Sequence, residues 1–240
     1  MTEHNGKYRF WSASRGALAA LMLATVAALF TAPQAHAGGE ENALPPSADL
    51  KKVLGKIQEH YDRTETFAAK FDETLTRPGA SERRRTGAIY FAKPGKLRWE
   101  FSPPDSELIV SDGATLYSYD PGLNQVIETP LAQALRSPGV AAFLLGMGKL
   151  ERDFDASMPA GRVDSDRIGV ALRPRSGGEV IGLEVDSKTY DITSLTLTDQ
   201  LGNRTLLRFS QIRNNIEIDG TRFEFAVPEG ADIVRTQERQ

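Results

Sequence analysis

The stretch that decides the fold class is GKLRWEFSPPDSELIVSDGATLYSYD, residues 95–120. In its first half, Leu97, Trp99 and Phe101 alternate with charged residues. A period of two predicts a β-strand that turns one apolar face toward a core. Asp112-Gly113 stands between two further apolar runs, the setting of a two-residue hairpin turn with positive φ. The stretch therefore predicts consecutive antiparallel strands.

The same alternation recurs through most of the chain from Phe67 onward, up to a last alternating run at Phe223, Phe225 and Val227. Pairs rich in Gly, Pro, Asn and Asp separate the runs, as in antiparallel all-β domains. We expect a mainly β fold of roughly ten or eleven strands. Because strand twist curls a sheet of this size, it should form a half-open barrel whose concave face needs covering.

Three amphipathic segments are predicted to form short α-helices that cover the mouth of this barrel. The first follows Ser47, a favourable N-cap, and the second begins at Pro130 and ends at Pro138-Gly139. The third spans residues 140–145. The apolar residues that recur at helical spacing in the three segments are Leu50, Val53, Leu54, Ile57, Tyr61, Leu131, Ala134, Leu135, Val140, Phe143 and Leu144.

The first 37 residues have the features of a signal peptide. Three basic residues precede an apolar run, Leu18 to Phe30, that is shorter than the roughly 20 residues needed to span a bilayer. The run is followed by Ala35-His36-Ala37, a pattern that signal peptidases cleave. We expect cleavage after Ala37 and a periplasmic protein, with a flexible leader at 38–46 and a single domain at 47–240.

Composition narrows the function classes further. The chain has no cysteine, which excludes disulfides, thiolate chemistry and an acylated mature N-terminus. Without residues 1–37, the 29 Lys and Arg and the 32 Asp and Glu become 26 and 31, a net charge near −5. This acidic balance argues against nucleic acid as a partner.

The sequence offers little material for catalysis, and we expect no enzyme, no cofactor and no metal site. After export His60 is the one histidine left, near a helix end where a protonated imidazole suits the dipole. Neither a phosphate-binding loop nor a dinucleotide fingerprint is present. Asp105, Glu107 and Asp112 could in principle serve as a glycosidase-like acid/base set, but the hairpin interpretation of Asp112 is favoured.

A basic run, Arg83-Arg84-Arg85, follows the turn at Pro78-Gly79. The favoured interpretation is a solvated loop tip. The alternative is a docking patch for an acidic partner.

Residues 86–130, TGAIYFAKPGKLRWEFSPPDSELIVSDGATLYSYDPGLNQVIETP, resemble one family: the periplasmic outer-membrane lipoprotein carriers of the LolA type. The stretch is similar to the family's order of Gly, strand, Pro, apolar-x-Trp strand, Pro-Asp, Val-Ser-Asp-Gly, aromatic-x-Tyr and Gln-Val. Weaker similarity extends from Phe-Ala-Ala-Lys-Phe at 67–71 to FEFAVPEGADIV at 223–234.

The resemblance implies a half-open barrel with a lid of helices over a hydrophobic cavity that takes acyl chains. The residues that it implies for the cavity are Leu97, Trp99, Phe101, Leu108, Val110, Leu116 and Tyr117. The residues that it implies for the lid are Leu50, Val53, Leu54, Ile57, Leu131, Leu135, Phe143 and Leu144. The implied partners are lipoproteins, an inner-membrane ABC transporter that releases them, and an outer-membrane receptor or direct delivery, for a carrier expected to be monomeric.

Two features depart from the family pattern. Where members often have an arginine before the proline of the turn, this chain has Lys93, the expected lid latch. A lysine presents a point charge without the planar fork of a guanidinium, which predicts a weaker hold on several lid carbonyls. Some members also have an added C-terminal strand, and this chain ends soon after Val234.

Two alternatives share this architecture. A periplasmic lipid- or lipoprotein-sensing domain is the first, although sensors of this kind are usually tied to a signalling segment. The acylated outer-membrane receptor is the second, and it would require a cysteine at the mature N-terminus.

Overall fold

The computed structural model describes residues 48–135, 143, 145, 148–158 and 166–236. The predicted signal peptide and its cleavage site, the leader at 38–46, the cap at Ser47 and the lid residue Leu144 lie outside these ranges.

One sheet of twelve strands accounts for most of the described residues. In chain order the strands are β1 (Thr66–Thr76), β2 (Arg83–Ala92), β3 (Lys96–Phe101), β4 (Leu108–Asp112), β5 (Thr115–Asp120), β6 (Gln125–Pro130), β7 (Phe154–Ser157), β8 (Arg167–Pro174), β9 (Val180–Asp186), β10 (Ile192–Thr198), β11 (Arg204–Asn214) and β12 (Asp232–Arg235). Their order across the sheet is β12-β6-β5-β4-β3-β2-β1-β11-β10-β9-β8-β7. The predicted mainly β, antiparallel fold is confirmed.

The strand order shows how the two halves of the sheet are joined and which strand forms one of its edges. Most consecutive strands are neighbours. Strand β1 joins the first half of the sheet (β2 to β6) to the second half (β7 to β11) by pairing with both β2 and β11. After β11 the chain crosses back to the far edge, where β12 runs parallel to β6 with Ile233 opposite Val126. This strand raises the number above the predicted ten or eleven, and the expectation that the chain lacks a C-terminal strand is wrong.

Three α-helices lie in the described ranges: α1 (Ala48–Asp62), α2 (Leu131–Ala134) and α3 (Leu150–Asp153). The first two begin where the sequence predicts helices, whereas α3 was not predicted. Of the predicted helix at 140–145, the structure describes Phe143 and Leu145, and both side chains are buried. None of the helices in the described ranges is long and apolar enough to cross a membrane.

The predicted hairpin at Asp112-Gly113 is confirmed. Gly113 has a φ of 104°, and the loop joins β4 to β5 with Ser111 opposite Leu116. The Asp112 carboxylate accepts hydrogen bonds from the backbone amides of Ala114 and Thr115 at 2.7 and 2.8 Å. The side chain therefore holds the turn by an Asx-type interaction.

The strand predicted at Phe223, Phe225 and Val227 is wrong. Residues Gly220–Phe223 form a short 3₁₀ helix, and the chain continues to β12 without ladder pairing. Phe223 is buried and Phe225 packs on strand β5, so the alternation marks a segment laid across the sheet. Its apolar side chains contact the sheet face while its backbone joins no ladder.

Candidate functional site

Strand register builds a largely apolar inner face on the sheet. Leu97 of β3 lies opposite Phe91 of β2, and Trp99 lies between Ile89 of β2 and Ile109 of β4. Antiparallel partners point to the same side of a sheet, so these side chains form one continuous patch. All five are buried.

Aromatic rings give this patch its densest part. The Phe71 ring lies 5.1 Å from Trp99 and 5.2 Å from Phe101, measured between ring centroids. Phe67 stacks on Phe91 at 4.8 Å. Ring pairs at these separations add to the stability gained from burial alone. The inner wall of β1, β2 and β3 is therefore an aromatic surface.

Gly87 makes the approach of Phe71 to β2 possible. The two residues face each other in the β1–β2 register. A Cβ atom at position 87 would lie 2.6 Å from Phe71 Cζ and 2.0 Å from the Glu100 carbonyl oxygen. Only glycine leaves room here for the ring to lie across the neighbouring strand.

The predicted cavity set divides between the two faces of the sheet. Leu97, Trp99, Phe101 and Leu116 share the inner face, since Leu97 and Leu116 are both register partners of Ser111. All four are buried. Their position fits the prediction, while their role in binding stays a proposal.

For Leu108, Val110 and Tyr117 the prediction of a shared cavity is wrong. Val110 lies opposite Arg98 and Tyr117, and Leu108 lies opposite Glu100, which places all three on the outer face. The apolar run at 108–110 has no internal alternation, so sequence alone does not tell which residue faces inward. In the structure the inward residue is the middle one, Ile109.

The C-terminal segment covers the outer face at this point. The Phe225 ring stacks on Tyr117 at 5.1 Å between centroids. The Arg222 guanidinium lies 4.3 Å from the ring centroid of Tyr90, and Arg98 Nη1 donates to the Arg222 carbonyl at 3.1 Å. Burial of the outer apolar residues is thus explained by packing under residues 219–228.

Sequence reasoning did not assign five residues that belong to the inner face: Phe67, Phe71, Ile89, Phe91 and Ile109. For Phe67 and Phe71 the signal was present as alternation in β1. What joins them to Trp99 is the pairing of β1 with β2 and of β2 with β3, which the sequence does not specify.

Helix α1 buries a stripe of four side chains: Leu50, Leu54, Ile57 and Tyr61. The spacing of four, three and four residues places them on one face of the helix. Val53, also in the predicted lid set, is half-buried at the border of this stripe. The stripe therefore behaves as a core-facing surface.

Tyr61 fixes the end of α1 to the second half of the sheet. Its hydroxyl oxygen accepts a hydrogen bond from the Ile192 amide at 3.0 Å, at the start of β10. Its ring lies 5.3 Å from that of Phe143. Burial raises the pKa of Tyr61 well above its ordinary value, which keeps the hydroxyl neutral.

His60 makes a second contact with the same turn. Its Nε2 atom lies 2.9 Å from Asp191 Oδ1, which also accepts from Asn214 Nδ2 at 2.6 Å. Burial would raise the pKa of Asp191, but hydrogen bonds from His60, Asn214 and Thr189 lower it on balance. The histidine is a cross-link between helix and sheet.

Lys93 ties the same end of α1 to the first half of the sheet. From the β2–β3 turn, its Nζ atom donates to the carbonyl oxygens of Tyr61 and, at 3.3 Å, of Asp62. Burial lowers the pKa of Lys93, while the carboxylates of Glu65 and Asp62 oppose this effect. The ammonium group thus sits where the last carbonyls of a helix attract a cation.

A second lysine contact holds α3 against α1. Lys149 Nζ lies 2.9 and 3.0 Å from the carboxylate oxygens of Asp62. The Leu150 amide donates to Gln58 Oε1 at 2.9 Å. Burial would raise the pKa of Asp62, but the hydrogen bonds from Lys149 and Gln58 lower it on balance. No pattern in the sequence indicates this pair, because its members are 87 residues apart along the chain.

Helix α2 packs on the turn that carries Lys93. Leu131 is buried, its amide donates to the Ala114 carbonyl at 2.8 Å, and Leu135 is half-buried. Gly95 has a φ of 70°, and a Cβ there would lie 2.8 Å from Leu131 Cδ2. The glycine therefore allows both the positive φ of the turn and the close packing of α2 against it.

The carboxylates weighed as an acid/base set are all engaged in structural contacts. Asp105 pairs with Arg83, and Glu107 Oε2 accepts from Arg85 Nη1 at 3.0 Å. Asp112 holds its hairpin turn. Among the described residues, no group of three or more His, Cys, Asp or Glu side chains is placed to bind a metal ion.

The interpretation of Arg83-Arg84-Arg85 as a solvated loop tip is wrong for Arg85. All three residues belong to β2. Arg84 is exposed, but Arg85 faces inward and is buried in an ion pair with Glu73 on β1. Successive side chains of a strand point to opposite faces of the sheet, so the three arginines of this run do not all face solvent.

Comparison with known proteins decides the family. The model of the outer membrane lipoprotein carrier protein LolA matches residues 62–226. The chain belongs to the LolA family. An outer-membrane lipoprotein carrier protein of Chromobacterium violaceum is 36% identical to this LolA-family chain over 183 residues, 76% of the chain and 87% of the relative. Its counterpart in Dechloromonas aromatica is 33% identical over 80% of the chain and 92% of the relative.

A solved structure supports the fold alone. An uncharacterised conserved protein from Thermus thermophilus superposes with a TM-score of 0.52 at 12% identity. The match covers 78% of this LolA-family chain and 99% of the other protein.

Proposed function

We propose that this LolA-family chain is a periplasmic carrier that binds the acyl chains of lipoproteins and delivers them toward the outer membrane. The observation that carries the proposal is the buried aromatic and aliphatic inner face, with α1 fastened to both halves of the sheet. Both relatives described above are named outer-membrane lipoprotein carrier proteins, which supports the same function here.

The acyl-binding surface is the inner face of β1 to β5. Leu97, Trp99, Phe101 and Leu116 are its members from the predicted set, and Phe71 joins them through ring contacts. Helix α1, with α2 and the buried Phe143, acts as a lid, and Lys93 and Lys149 act as its latches. A saturated chain would replace the lid side chains on this surface.

The energies of the two states are close enough for exchange. Burying a 16-carbon chain contributes about 12 kcal/mol at ~0.8 kcal/mol per methylene. Burying Leu50, Leu54 and Ile57 of the lid contributes roughly 5 to 9 kcal/mol on the same scale. Because both burials use one apolar wall, each offsets most of the other. Three fully buried chains would exceed the practical ceiling of about 18 to 21 kcal/mol, so we infer incomplete burial of the cargo.

Loading requires free energy from a partner, since the sequence contains no nucleotide-binding loop. We propose that an inner-membrane ABC transporter releases lipoproteins to this chain. Delivery then uses an outer-membrane receptor or direct transfer. Export by the segment at 1–37, cleavage after Ala37, a leader at 38–46 and a single monomeric domain at 47–240 complete the proposal.

The test replaces Leu97 with glutamate. A carboxylate at position 97 would lie between Phe91 and Ser111 without a basic partner, and burying it costs several kcal/mol. We expect Leu97→Glu to lose most of the acylated lipoproteins that co-purify with the wild type from a periplasmic fraction, measured by mass spectrometry. Leu201→Glu is the matched control, because Leu201 is 80% exposed.

Circular dichroism checks that both variants are folded. Equal cargo on folded Leu97→Glu and Leu201→Glu would remove the inner face as the binding surface. Recovery of free lipid without acylated protein, on the wild type, would favour the lipid- or lipoprotein-sensing alternative.

A further inference from the structure

A cluster of charges lies inside the apolar wall, and the carrier mechanism described so far does not use it. We name it the interior charge cluster: Glu73 of β1, Arg85 of β2, and Glu107 of the β3–β4 loop. Arg85 Nε donates to Glu73 Oε2, and Arg85 Nη1 donates to Glu107 Oε2 at 3.0 Å. The side chains of Glu73, Arg85 and Glu107 are 0%, 1% and 14% exposed.

The cluster belongs to the same face as the aromatic patch. Glu73 and Arg85 are register partners, two residues along their strands from Phe71 and Gly87. The Arg85 guanidinium carbon lies 4.1 Å from the centroid of Phe101, whose ring stands 6.4 Å from Trp99. A ligand lying on the aromatic patch would therefore reach the cluster.

Three polar atoms here are buried without a hydrogen-bond partner: Arg85 Nη2, Glu73 Oε1 and Trp99 Nε1. A buried donor or acceptor left unpaired costs about 1 to 3 kcal/mol. Apolar side chains of similar size in place of a buried ion pair are often neutral or stabilising. Packing of an apolar wall therefore does not explain why two unpaired donors and one unpaired acceptor lie beside the proposed acyl-binding surface.

The charge of the cluster selects the ligand class. Two carboxyl groups face one guanidinium, so the cluster carries no surplus positive charge. Burial raises the pKa of Glu73 and of Glu107, against the effect of Arg85. A phosphate or a free carboxylate would meet carboxylates here, whereas a neutral carbonyl needs donors and an amide N–H needs an acceptor.

We propose that the interior charge cluster, together with Trp99 Nε1, binds the neutral ester and amide groups that join the acyl chains to the cargo's N-terminal cysteine. Arg85 Nη2 and Trp99 Nε1 donate to ester or amide carbonyls, and Glu73 Oε1 accepts the amide N–H. The inference rests on the proposed function as a lipoprotein carrier and adds a polar subsite to it.

The subsite also gives the cargo a direction. Arg85 and Lys93 stand eight residues apart on β2 and its following turn, about 26 Å at ~3.3 Å per residue. The linkage groups would lie at the Arg85 end, and the chains would run along the wall toward the Lys93 latch. Glu107, the partly exposed member, marks the side from which the polypeptide of the cargo leaves.

The first experiment uses the wild-type chain and two synthetic probes with identical alkyl chains. One is a triacylated cysteinyl peptide, and in the other, ether links replace the two esters. Competition against a fluorescent fatty-acid probe gives both affinities. We expect the ester peptide to bind roughly tenfold more tightly, because the ether oxygens are poor acceptors for the two donors.

The second experiment removes the pair as a unit. Glu73→Leu/Arg85→Met removes the two fully buried charges together, and we expect it to keep only the part of the preference that Trp99 Nε1 supplies. The matched control is Glu82→Gln/Arg84→Met, an ion pair between the residue just before β2 and the strand's second residue, in which Arg84 is 79% exposed. We expect this control to keep the tenfold preference. Trp99→Phe removes one donor and keeps an aromatic ring, and should reduce the preference severalfold.

The outcomes separate the two proposals. Equal binding of both probes by the wild type would overturn the polar subsite and leave the carrier function standing. Stronger binding of an anionic phospholipid than of the ester peptide would also overturn it. Failure of the wild type to bind either peptide would overturn both. If the double variant does not fold, the wild-type comparison and Trp99→Phe decide.

Discussion

At the scale of single residues, Lys93 contacts the end of α1 with a single ammonium group. The ammonium group reaches the carbonyl oxygens of Tyr61 and Asp62, although it lacks the planar fork of an arginine. Because Nζ has three donors, two carbonyls do not exhaust it. The weaker hold expected of a lysine, compared with an arginine, stays a prediction.

Loss of this contact should loosen α1 and leave the sheet intact. Lys93→Met removes the donors and keeps much of the side-chain volume, and we expect the closed state to lose roughly 1 kcal/mol. Hydrogen exchange at α1 amides should then rise about fivefold, with β1 to β3 unchanged. Lys52→Met, at an exposed position of α1, is the control. Equal exchange in both variants would show that Lys93 is not a latch.

Gly87 carries a prediction about the wall itself. In Gly87→Ala the new methyl would lie 2.6 Å from Phe71 Cζ and 2.0 Å from the Glu100 carbonyl, so ring or strand must shift. We expect the free energy of unfolding in urea to fall by about 1 to 3 kcal/mol. Gly182→Ala, whose nearest atom lies at 3.5 Å, should change it far less. Equal losses would contradict a steric role for Gly87.

At the scale of elements, strands were predictable where alternation was strict. In β3, Leu97, Trp99 and Phe101 alternate with charged residues, and all three are buried on one face. In β4 three apolar residues are consecutive, so the inward residue depends on register with β3, which the sequence does not state. The assignment of Leu108 and Val110 to the cavity failed for this reason.

The other features that the sequence does not predict are either short or determined by contacts between residues far apart in the sequence. Helix α3 has four residues and no room for a helical period. Residues 223–227 alternate because their side chains pack on a sheet face without joining a ladder. The sequence alone favours a loop tip for Arg85, because its partner, Glu73, is identified only by the pairing of β1 with β2. The family resemblance identified the architecture and not these pairings.

At the scale of the whole molecule, the proposed function makes α1 and the cargo competitors for one surface, the inner face of the sheet. In the proposed mechanism, the buried stripe of α1 and the acyl chains of a cargo use the same inner wall. A ligand shifts such an equilibrium only by its differential affinity for the two states. In this mechanism, the Lys93 and Lys149 contacts are proposed to favour the closed state, and acyl burial and the interior charge cluster the loaded one.

This competition predicts opposite responses of helix and sheet to cargo. On addition of a triacylated cysteinyl peptide, α1 amides should exchange hydrogen at least tenfold faster, because Leu50, Leu54 and Ile57 leave the wall. Amides of β1 to β3 should exchange more slowly, because the chains shield them. The same peptide without acyl chains is the control and should change neither. Slower exchange in α1 on loading would mean that the helix closes over the cargo and does not compete with it.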